Sequence, residues 1–316
     1  MENKKLKIAF LSRYVGSVDR GVETYALELS KRLSKIYDVA VLTGKDADSL
    51  TKIKRGNFDI VIATNGRLQA LKASIGRIFG KYKLIISGQA GIGKDDLWNL
   101  LIVRPDIYVA LTDFELAWAK RWSLGTKLYK IPNGVNLDKF SSYGPKINLG
   151  FKGKVVLSVG ALFWYKHHEL TIKALALLDN VNLLIVGDGP EYQQLEALGK
   201  KLLGERFRIL KVGFNDIDKY YRSADLFVLP SWIRESFGIA YVEALASGLP
   251  VVAPDDPPRR EIISEAGVFA DVNDIEKYAQ AVEKALEVNW GEKPRKQAEK
   301  FSWDKVASEY IKLINQ

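Results

Sequence analysis

The stretch Leu226-Phe227-Val228-Leu229-Pro230-Ser231-Trp232-Ile233-Arg234-Glu235-Ser236-Phe237-Gly238-Ile239-Ala240-Tyr241-Val242-Glu243-Ala244-Leu245-Ala246-Ser247-Gly248-Leu249-Pro250 decides the fold. Leu226 to Leu229 is a short apolar run closed by Pro230, which reads as a strand. After Gly238, Ile239, Val242 and Ala246 recur at helical spacing, as do Tyr241 and Leu245. Gly248 stops this helix and Pro250 follows. Nearly every face of the helix is apolar or small, so burial is expected. Yet it carries Glu243, and a buried charge without a partner is very costly. A Lys or Arg from elsewhere could pair with it. So could the ribose diol of a nucleotide, which gives a carboxylate two hydroxyl donors. The helix start near Phe237-Gly238-Ile239 offers its N–H groups and positive dipole end to a phosphate. Glu235 stands just before that end.

Two glutamates with seven residues between them carry little alone. With Ser236-Phe237-Gly238 after the first, a strand before and Ala246-Ser247-Gly248-Leu249-Pro250-Val251-Val252 after, the string resembles the retaining glycosyltransferases of family 4. The resemblance implies the GT-B architecture: an α/β chain with two Rossmann-like domains facing across a cleft. It implies that Glu235 contacts the donor sugar and that the backbone around Ser236, Phe237, Gly238 and Ile239 meets sugar and phosphates. Glu243 would then hold the ribose.

A chain of 316 residues fits two domains better than one core. There is no Cys, which excludes disulfides and thiolate metal sites. The only His residues, His167 and His168, are adjacent, which argues against a multi-His metal site. No apolar run reaches membrane-span length, and Ile8–Leu11 is too short for a signal peptide and reads as a first strand. Charge is uneven. Residues 1–150 hold 25 Lys and Arg against 14 Asp and Glu, a balance of +11, and residues 151–316 hold 22 against 24. An anionic membrane surface, a pyrophosphate-bearing partner or nucleic acid could each use such asymmetry.

In the first half, strands are expected at 6–11, 39–43, 58–63, 83–87, 107–112 and 127–131, with helices between them. Such alternation means a parallel sheet whose ligands sit at the carboxyl ends of its strands. That points to the loop 12–21. Arg20-Gly21-Val22-Glu23 resembles the family's Gly-Gly-x-Glu, so Gly21 and Val22 are expected at the donor diphosphate. Gly88-Gln89-Ala90-Gly91-Ile92-Gly93-Lys94-Asp95 nearly matches a phosphate-binding P-loop, but Asp95 replaces the metal-binding Ser or Thr. It reads as a glycine-rich turn. Where the family often has a His, this chain has Gly88 or Gln89, which excludes a His base here. The helix expected at 113–124 carries Phe114, Trp118 and Trp122 at steps of four, read as core. Residues 141–153 read as a linker.

In the second half, strands are expected at 155–159, 182–186, 207–212, 226–229, 251–253 and 268–270. Lys166 matches the family's Lys at the donor phosphates, whereas the usual Arg is Ala161. Gly213 falls where the family's base rests on backbone. Gly187-Asp188-Gly189-Pro190 reads as a structural turn, and Asp216 and Asp218 as helix-capping residues rather than a metal site. The expected domains are 1–145, acceptor-side; 146–300, holding the nucleotide sugar; and 301–316, a helix returning to the first.

The whole implies a retaining transferase using a nucleoside diphosphate sugar, with Glu235 and Lys166 catalytic, and no metal and no cofactor. The acceptor is expected to be lipid-linked or a saccharide, and the enzyme cytoplasmic, peripheral on the inner face of the membrane. The alternatives are a sugar-nucleotide epimerase of the same fold and a nucleotide- or nucleic-acid-binding protein. The chain lacks the clustered aromatic and basic motifs of single-strand binders, so nucleic acid is not expected as a partner. From Ile60 to Lys94 there is no Asp or Glu, yet Arg67, Lys72, Arg77, Lys81, Lys83 and Lys94 are present. The helix expected at 67–79 aligns Leu68, Leu71, Ile75, Ile78 and Phe79 in one stripe, read as packed on the sheet beneath a basic outer face.

Overall fold

The computed structural model describes residues 5–16, 21–64 and 66–316. Arg20, and with it the end of the loop 12–21, lies outside the described residues. The chain forms two compact units, one of residues 1–134, 234–237 and 303–316, the other of 135–233 and 238–302.

The first unit is built on a six-stranded sheet, β1 (Lys7–Leu11), β2 (Asp38–Leu42), β3 (Ile60–Ala63), β4 (Lys83–Ser87), β5 (Ile107–Ala110) and β6 (Lys127–Lys130), in the order β2-β1-β3-β4-β5-β6. Every pairing is parallel. Helices α1 (Gly21–Leu33), α2 (Leu50–Arg55), α3 (Arg67–Gly80), α4 (Lys94–Trp98) and α5 (Asp113–Lys120) connect the strands. A parallel sheet covered on both sides reads as continuous apolar runs, and Ile60-Val61-Ile62-Ala63 is buried throughout. Alternate residues feed two cores. Ile8 and Phe10 pack with Tyr25 and Leu29 of α1. Ala9 and Leu11 pack with Ala70 and Ala73 of α3.

The second unit has the sheet β7 (Lys154–Val159), β8 (Val181–Val186), β9 (Phe207–Leu210), β10 (Leu226–Val228), β11 (Val251–Pro254) and β12 (Gly267–Ala270), again all parallel, ordered β12-β11-β10-β7-β8-β9. Its helices are α6 (His168–Leu175), α7 (Tyr192–Leu203), α8 (Ile217–Ser223), α9 (Ile239–Ala246), α10 (Pro257–Ile263), α11 (Ile275–Glu287) and α12 (Lys293–Ala298). The last helix, α13 (Trp303–Ile314), belongs to the first unit. There Trp303 is buried, Gly134 lies against its ring, and Tyr25 donates to the Tyr310 hydroxyl at 2.7 Å.

Three expectations change. The first unit ends at Gly134 rather than near 145, because Arg222 of the second unit bonds the carbonyls of Lys139, Ser141 and Pro145. The aromatic stripe of α5 is core only in part, through Trp118, which packs against the cluster of Ala70 and Ala73. The buried positions of the helix are Glu115 and Ala119, one residue along, whereas Phe114 and Trp118 are half-buried and Trp122 is 40% exposed. Glu115 wins that place by accepting bonds from the Tyr108 hydroxyl (2.6 Å) and the Leu111 amide (2.7 Å).

The stripe of α3 is likewise turned outward. Leu68 is 58% exposed, Ile78 74% and Phe79 66%, while Gln69, Ala70, Ala73 and Gly76 face inward. Small residues let this helix lie close: a Cβ on Gly76 would stand 2.7 Å from the Tyr82 hydroxyl, which donates to the Ala73 carbonyl.

Candidate functional site

Strand order reverses between β7 and β10 in the second sheet, and between β1 and β3 in the first. In open parallel sheets, ligands bind beyond the carboxyl ends of the strands at such a reversal. The loops leaving β7 and β10 carry most of the residues singled out in the sequence.

The loop after β7 is held by glycine packing. A Cβ on Gly187 would lie 2.0 Å from the Gly160 carbonyl oxygen, and one on Gly189 2.5 Å from that of Leu162. These two glycines are structural, as the turn Gly187–Pro190 suggested. Leu162 donates its amide to Asp188 at 2.9 Å, so the loop is pinned before it delivers half-buried Lys166. His168 starts α6 fully buried, with Nδ1 3.0 Å from the Ser158 hydroxyl. Burial first, then the Lys166 charge, push its imidazole down to about 3, so it is neutral. His167 instead meets Glu169 at 3.1 Å. The two imidazoles thus have separate structural partners. Lys166 Nζ lies over the Tyr165 ring at 5.9 Å, and Tyr165 packs with Trp164 and Trp232, Trp164 edge-on to Trp232 at 5.1 Å.

The loop after β10 is fixed by a residue the sequence reading passed over. Arg259, fully buried and paired with Asp256 at 3.2 Å, donates to the carbonyl of Trp232 at 2.6 Å and to the Ser231 hydroxyl at 3.0 Å. Beyond Ile233 the segment 234–237 groups with the first unit. Ser236 donates its hydroxyl to the Gln89 carbonyl at 3.1 Å, and Phe237 is buried. Gly91 lies against the Arg234 carbonyl, where a Cβ would come within 2.2 Å. Gly88 lies against Glu115 and Tyr108. The P-loop-like string is therefore a close-packed turn. The Gln89 side chain is spent on Asn133, in two bonds of 2.9 and 3.0 Å.

Gly238 then takes the left-handed conformation, φ 76° and ψ 70°, and α9 begins at Ile239. The first N–H groups of a helix lack partners within it, which gives that end its affinity for anions. Glu243 sits on the buried side, 8% exposed, and accepts the Tyr221 hydroxyl at 2.9 Å. Burial pushes its carboxyl up to about 7, against the opposing pull of Tyr221 and of the Lys139 charge. Both partners considered for a buried carboxylate remain compatible with this. Lys139 supplies part of the positive field. Tyr221 was not foreseen, because only its place in the fold, 22 residues earlier, links it to Glu243.

Gly213 follows β9, exposed, with nothing within 4 Å of where a Cβ would stand. Asp216 stands at the N-cap of α8 but makes no capping bond. It pairs with Lys219 at 2.6 Å, and Asp218 with Arg222 at 3.0 Å, so the expected capping role gives way to ion pairs along the helix. Among the described residues, no group of three or more His, Asp or Glu side chains is placed to hold a metal ion. Gly21 and Val22 open α1 in the first unit. Val22 lines a cavity of about 390 Å³ with Arg13, Tyr14, Thr64, Arg67 and Leu68.

Residues 143–302 match the family model described as glycosyl transferases group 1. The chain is 31% identical over 225 residues to a phosphatidyl-myo-inositol mannosyltransferase of Mycobacterium leprae, covering 65% of this chain and 58% of that protein. The chain spans 53–63% of the length of the first curated relatives it matches. Among solved structures, sucrose-phosphate synthase from Thermosynechococcus elongatus superposes with a TM-score of 0.85 at 20% identity, covering 99% of both chains. HepE of Anabaena, solved with UDP and glucose, gives 0.80 at 17% identity, covering 98% of this chain and 99% of that one. The fold is GT-B.

Proposed function

The chain belongs to the group 1 glycosyl transferases, and on that premise we propose that it moves a sugar, with retained configuration, from a nucleoside diphosphate sugar to a lipid-linked acceptor at the cytoplasmic face of a membrane. The observation that carries the donor half of this reading is Glu243. A carboxyl poised near 7 by burial, bonded to Tyr221, gains most from a ligand that brings hydroxyl donors, as a ribose does.

In this reading Lys166 and the amides opening α9 meet the diphosphate and stabilise its charge as the bond from the anomeric carbon to the phosphate oxygen breaks. Gly213 gives the base room against bare backbone, and Glu235 holds the sugar. The acceptor hydroxyl attacks from the face the diphosphate leaves, and its proton passes to the departing phosphate oxygen. The new bond therefore keeps the old configuration. Lys166 and the α9 amides, rather than a divalent cation, carry the charge stabilisation, so excess chelator is expected to leave turnover intact.

The membrane half rests on α3. Its exposed stripe of Leu68, Ile75, Ile78 and Phe79 has two cations at its far end, Lys54 over the Phe79 ring at 5.8 Å and exposed Lys81 closing the helix. Arg77 is committed to Asp106 at 3.0 Å and serves the fold. Apolar side chains at the interface add to roughly 1 kcal/mol for each cation near an anionic surface. The named acceptor of the mycobacterial relative, a phosphatidylinositol, supports a lipid.

Two measurements test the reading. Calorimetry with UDP, GDP and ADP should find one that binds, and Glu243→Gln should weaken it. If none binds, the donor assignment is wrong; an epimer formed with no acceptor present would replace transfer by epimerisation. Co-sedimentation should require anionic liposomes, weaken with salt, and fall when Ile78 and Phe79 become Asp. Equal binding to neutral liposomes would remove the anionic surface from the account.

A further inference from the structure

We infer that Gln89 and Asn133 are positioning residues for the transfer, their paired amides fixing the turn that sets the place of Glu235. This rests on the transfer reading above. Both residues act through the backbone of that turn and not by touching substrate.

Gln89 follows the carboxyl end of β4, and Asn133 lies shortly beyond β6, on the other side of β5. Their side chains meet as a reciprocal pair. Gln89 Nε2 donates to Asn133 Oδ1 at 2.9 Å, and Asn133 Nδ2 donates back to Gln89 Oε1 at 3.0 Å. Gln89 Nε2 also donates to the Ser87 hydroxyl at 2.9 Å. Both N–H groups and the oxygen of the Gln89 amide are thereby used. Gln89 is 9% exposed and Asn133 2%. A buried amide stripped of such partners bears the cost of its desolvation, so the pair resists opening.

A side chain bound at three points fixes its own backbone. The Gln89 amide donates to the Ser87 carbonyl at 2.8 Å, and the Gln89 carbonyl accepts the Ser236 hydroxyl at 3.1 Å. Further along the turn, Gly91 takes φ 76° and lies so near the Arg234 carbonyl oxygen that a Cβ would come within 2.2 Å of it. The turn therefore grips the segment 234–237 at Arg234 and again at Ser236. Glu235 stands between these two. With both neighbours held, its Cα cannot shift alone across planar peptides of fixed length. Turn, segment and Asn133 all belong to the first unit.

An amide gives and takes no proton near neutral pH, and this one is turned toward Asn133. What the position supplies to the reaction is a fixed frame. At a reacting centre, a misplacement of about 1 Å costs on the order of 10²-fold in rate.

The test exchanges the two amides. Gln89→Asn is one methylene too short to reach Asn133, Asn133→Gln one too long for its place, and the double variant restores the combined length. Hydrolysis of UDP-glucose, UDP-N-acetylglucosamine, GDP-mannose and ADP-glucose is followed, with water taking the acceptor's place at the anomeric carbon. Calorimetry with UDP, GDP and ADP, thermal melts, and hydrogen exchange of peptides spanning 231–238 accompany it. Each single variant should lose at least ten-fold in kcat and exchange faster over 234–237, with nucleoside diphosphate affinity within two-fold of the parent. The double variant should recover kcat to within three-fold of the parent, a coupling that independent sites do not show. Tyr310→Phe, which removes the buried bond to Tyr25 in the same unit, should lower the melting temperature and leave kcat and exchange over 234–237 unchanged. Ser236→Ala breaks only the link from turn to segment and should speed exchange there without a change in melting, which keeps the test open if a buried variant fails to fold. Parent kcat and exchange in the single variants would overturn the inference. So would a double variant slower than either single one, or an equal loss of kcat in Tyr310→Phe. Such failure with intact nucleotide binding and hydrolysis leaves the transfer reading standing. A parent that binds no nucleotide and hydrolyses no donor, with the segment still loosened in Gln89→Asn, removes the transfer reading and leaves the clamp.

Discussion

The Tyr221 hydroxyl donates to Glu243 Oε2 at 2.9 Å, and both residues are buried. The pair joins α8 to α9 and favours the charged form of a carboxyl that burial alone would keep protonated. Tyr221→Phe is therefore expected to move the Glu243 carboxyl further up. At pH 7 the affinity for the nucleoside diphosphate should fall by about ten-fold, the scale of a lost bond to a charged group. Titrations repeated at pH 8.5 should recover part of the loss. Equal affinity at pH 7 would detach Tyr221 from the site.

Glu243→Gln should separate stability from binding. A carboxyl raised from 4.5 to about 7 holds its proton more tightly in the folded state than in the unfolded one. The stability it contributes is complete below the unfolded value and is lost as pH rises through about 7. The amide has no such loss. Urea denaturation at pH 8 should find the variant more stable than the parent, by about 3 kcal/mol at most, although it is expected to bind nucleotide more weakly. A less stable variant at pH 8 would show that the charge is fully compensated in the free protein.

A buried pair of carboxyls carries the same sign in the first unit. Burial pushes Asp96 up to about 7, and burial followed by the Asp96 charge pushes Glu115 well above its ordinary value. Asp96→Asn keeps an oxygen for the Asn99 amide, now 3.1 Å from the carboxylate, and removes one charge from the pair. The fall in melting temperature from pH 6 to pH 8 should be smaller in this variant. Because Asp96 and Glu243 lie in different units, the two substitutions should flatten the profile additively. A variant with the parent's slope would assign the pH dependence elsewhere.

Gly91→Ala tests the turn beneath the donor segment. Gly91 has φ 76°, and a Cβ would come within 2.2 Å of the Arg234 carbonyl oxygen, so the side chain displaces the segment bearing Glu235. A fall in kcat of ten-fold or more is expected, with nucleoside diphosphate affinity within three-fold of the parent. Matching falls in both would mean that the donor site itself had moved.

The strands were legible because each buried parallel strand is a short apolar run such as Ile60–Ala63 or Leu226–Val228 between turn residues. Helices were legible as periodicity, but periodicity does not say which side is covered. In α3 the larger side chains mark the outside, and Ala70, Ala73 and Gly76 mark the side against the sheet. In α5 a single carboxyl, Glu115, takes the inner position that Trp118 and Trp122 were expected to fill. In the candidate site, the strand before Pro230 and the helix from Ile239 that carries Glu243 were legible because they follow one another along the chain. The site was not legible where the partners come from elsewhere, as Tyr221 does for Glu243 and Arg259 for Trp232. Arg13 and Arg67 face one cavity only because β1 and β3 are neighbours in the sheet.

The position of α13 sets an order on biosynthesis. Trp303, Tyr310 and Leu313 form one wall of the core that Ile8, Phe10, Tyr25 and Leu29 begin. A growing chain thus exposes the first sheet to solvent while the ribosome still has the whole of 135–302 to make. Those residues contain every strand and core helix of the second unit, which can be complete before Trp303 appears. The part translated first is finished last, against the usual amino-to-carboxyl order of folding. Until then, the apolar side of α1 lacks the cover that Trp303, Tyr310 and Leu313 give it.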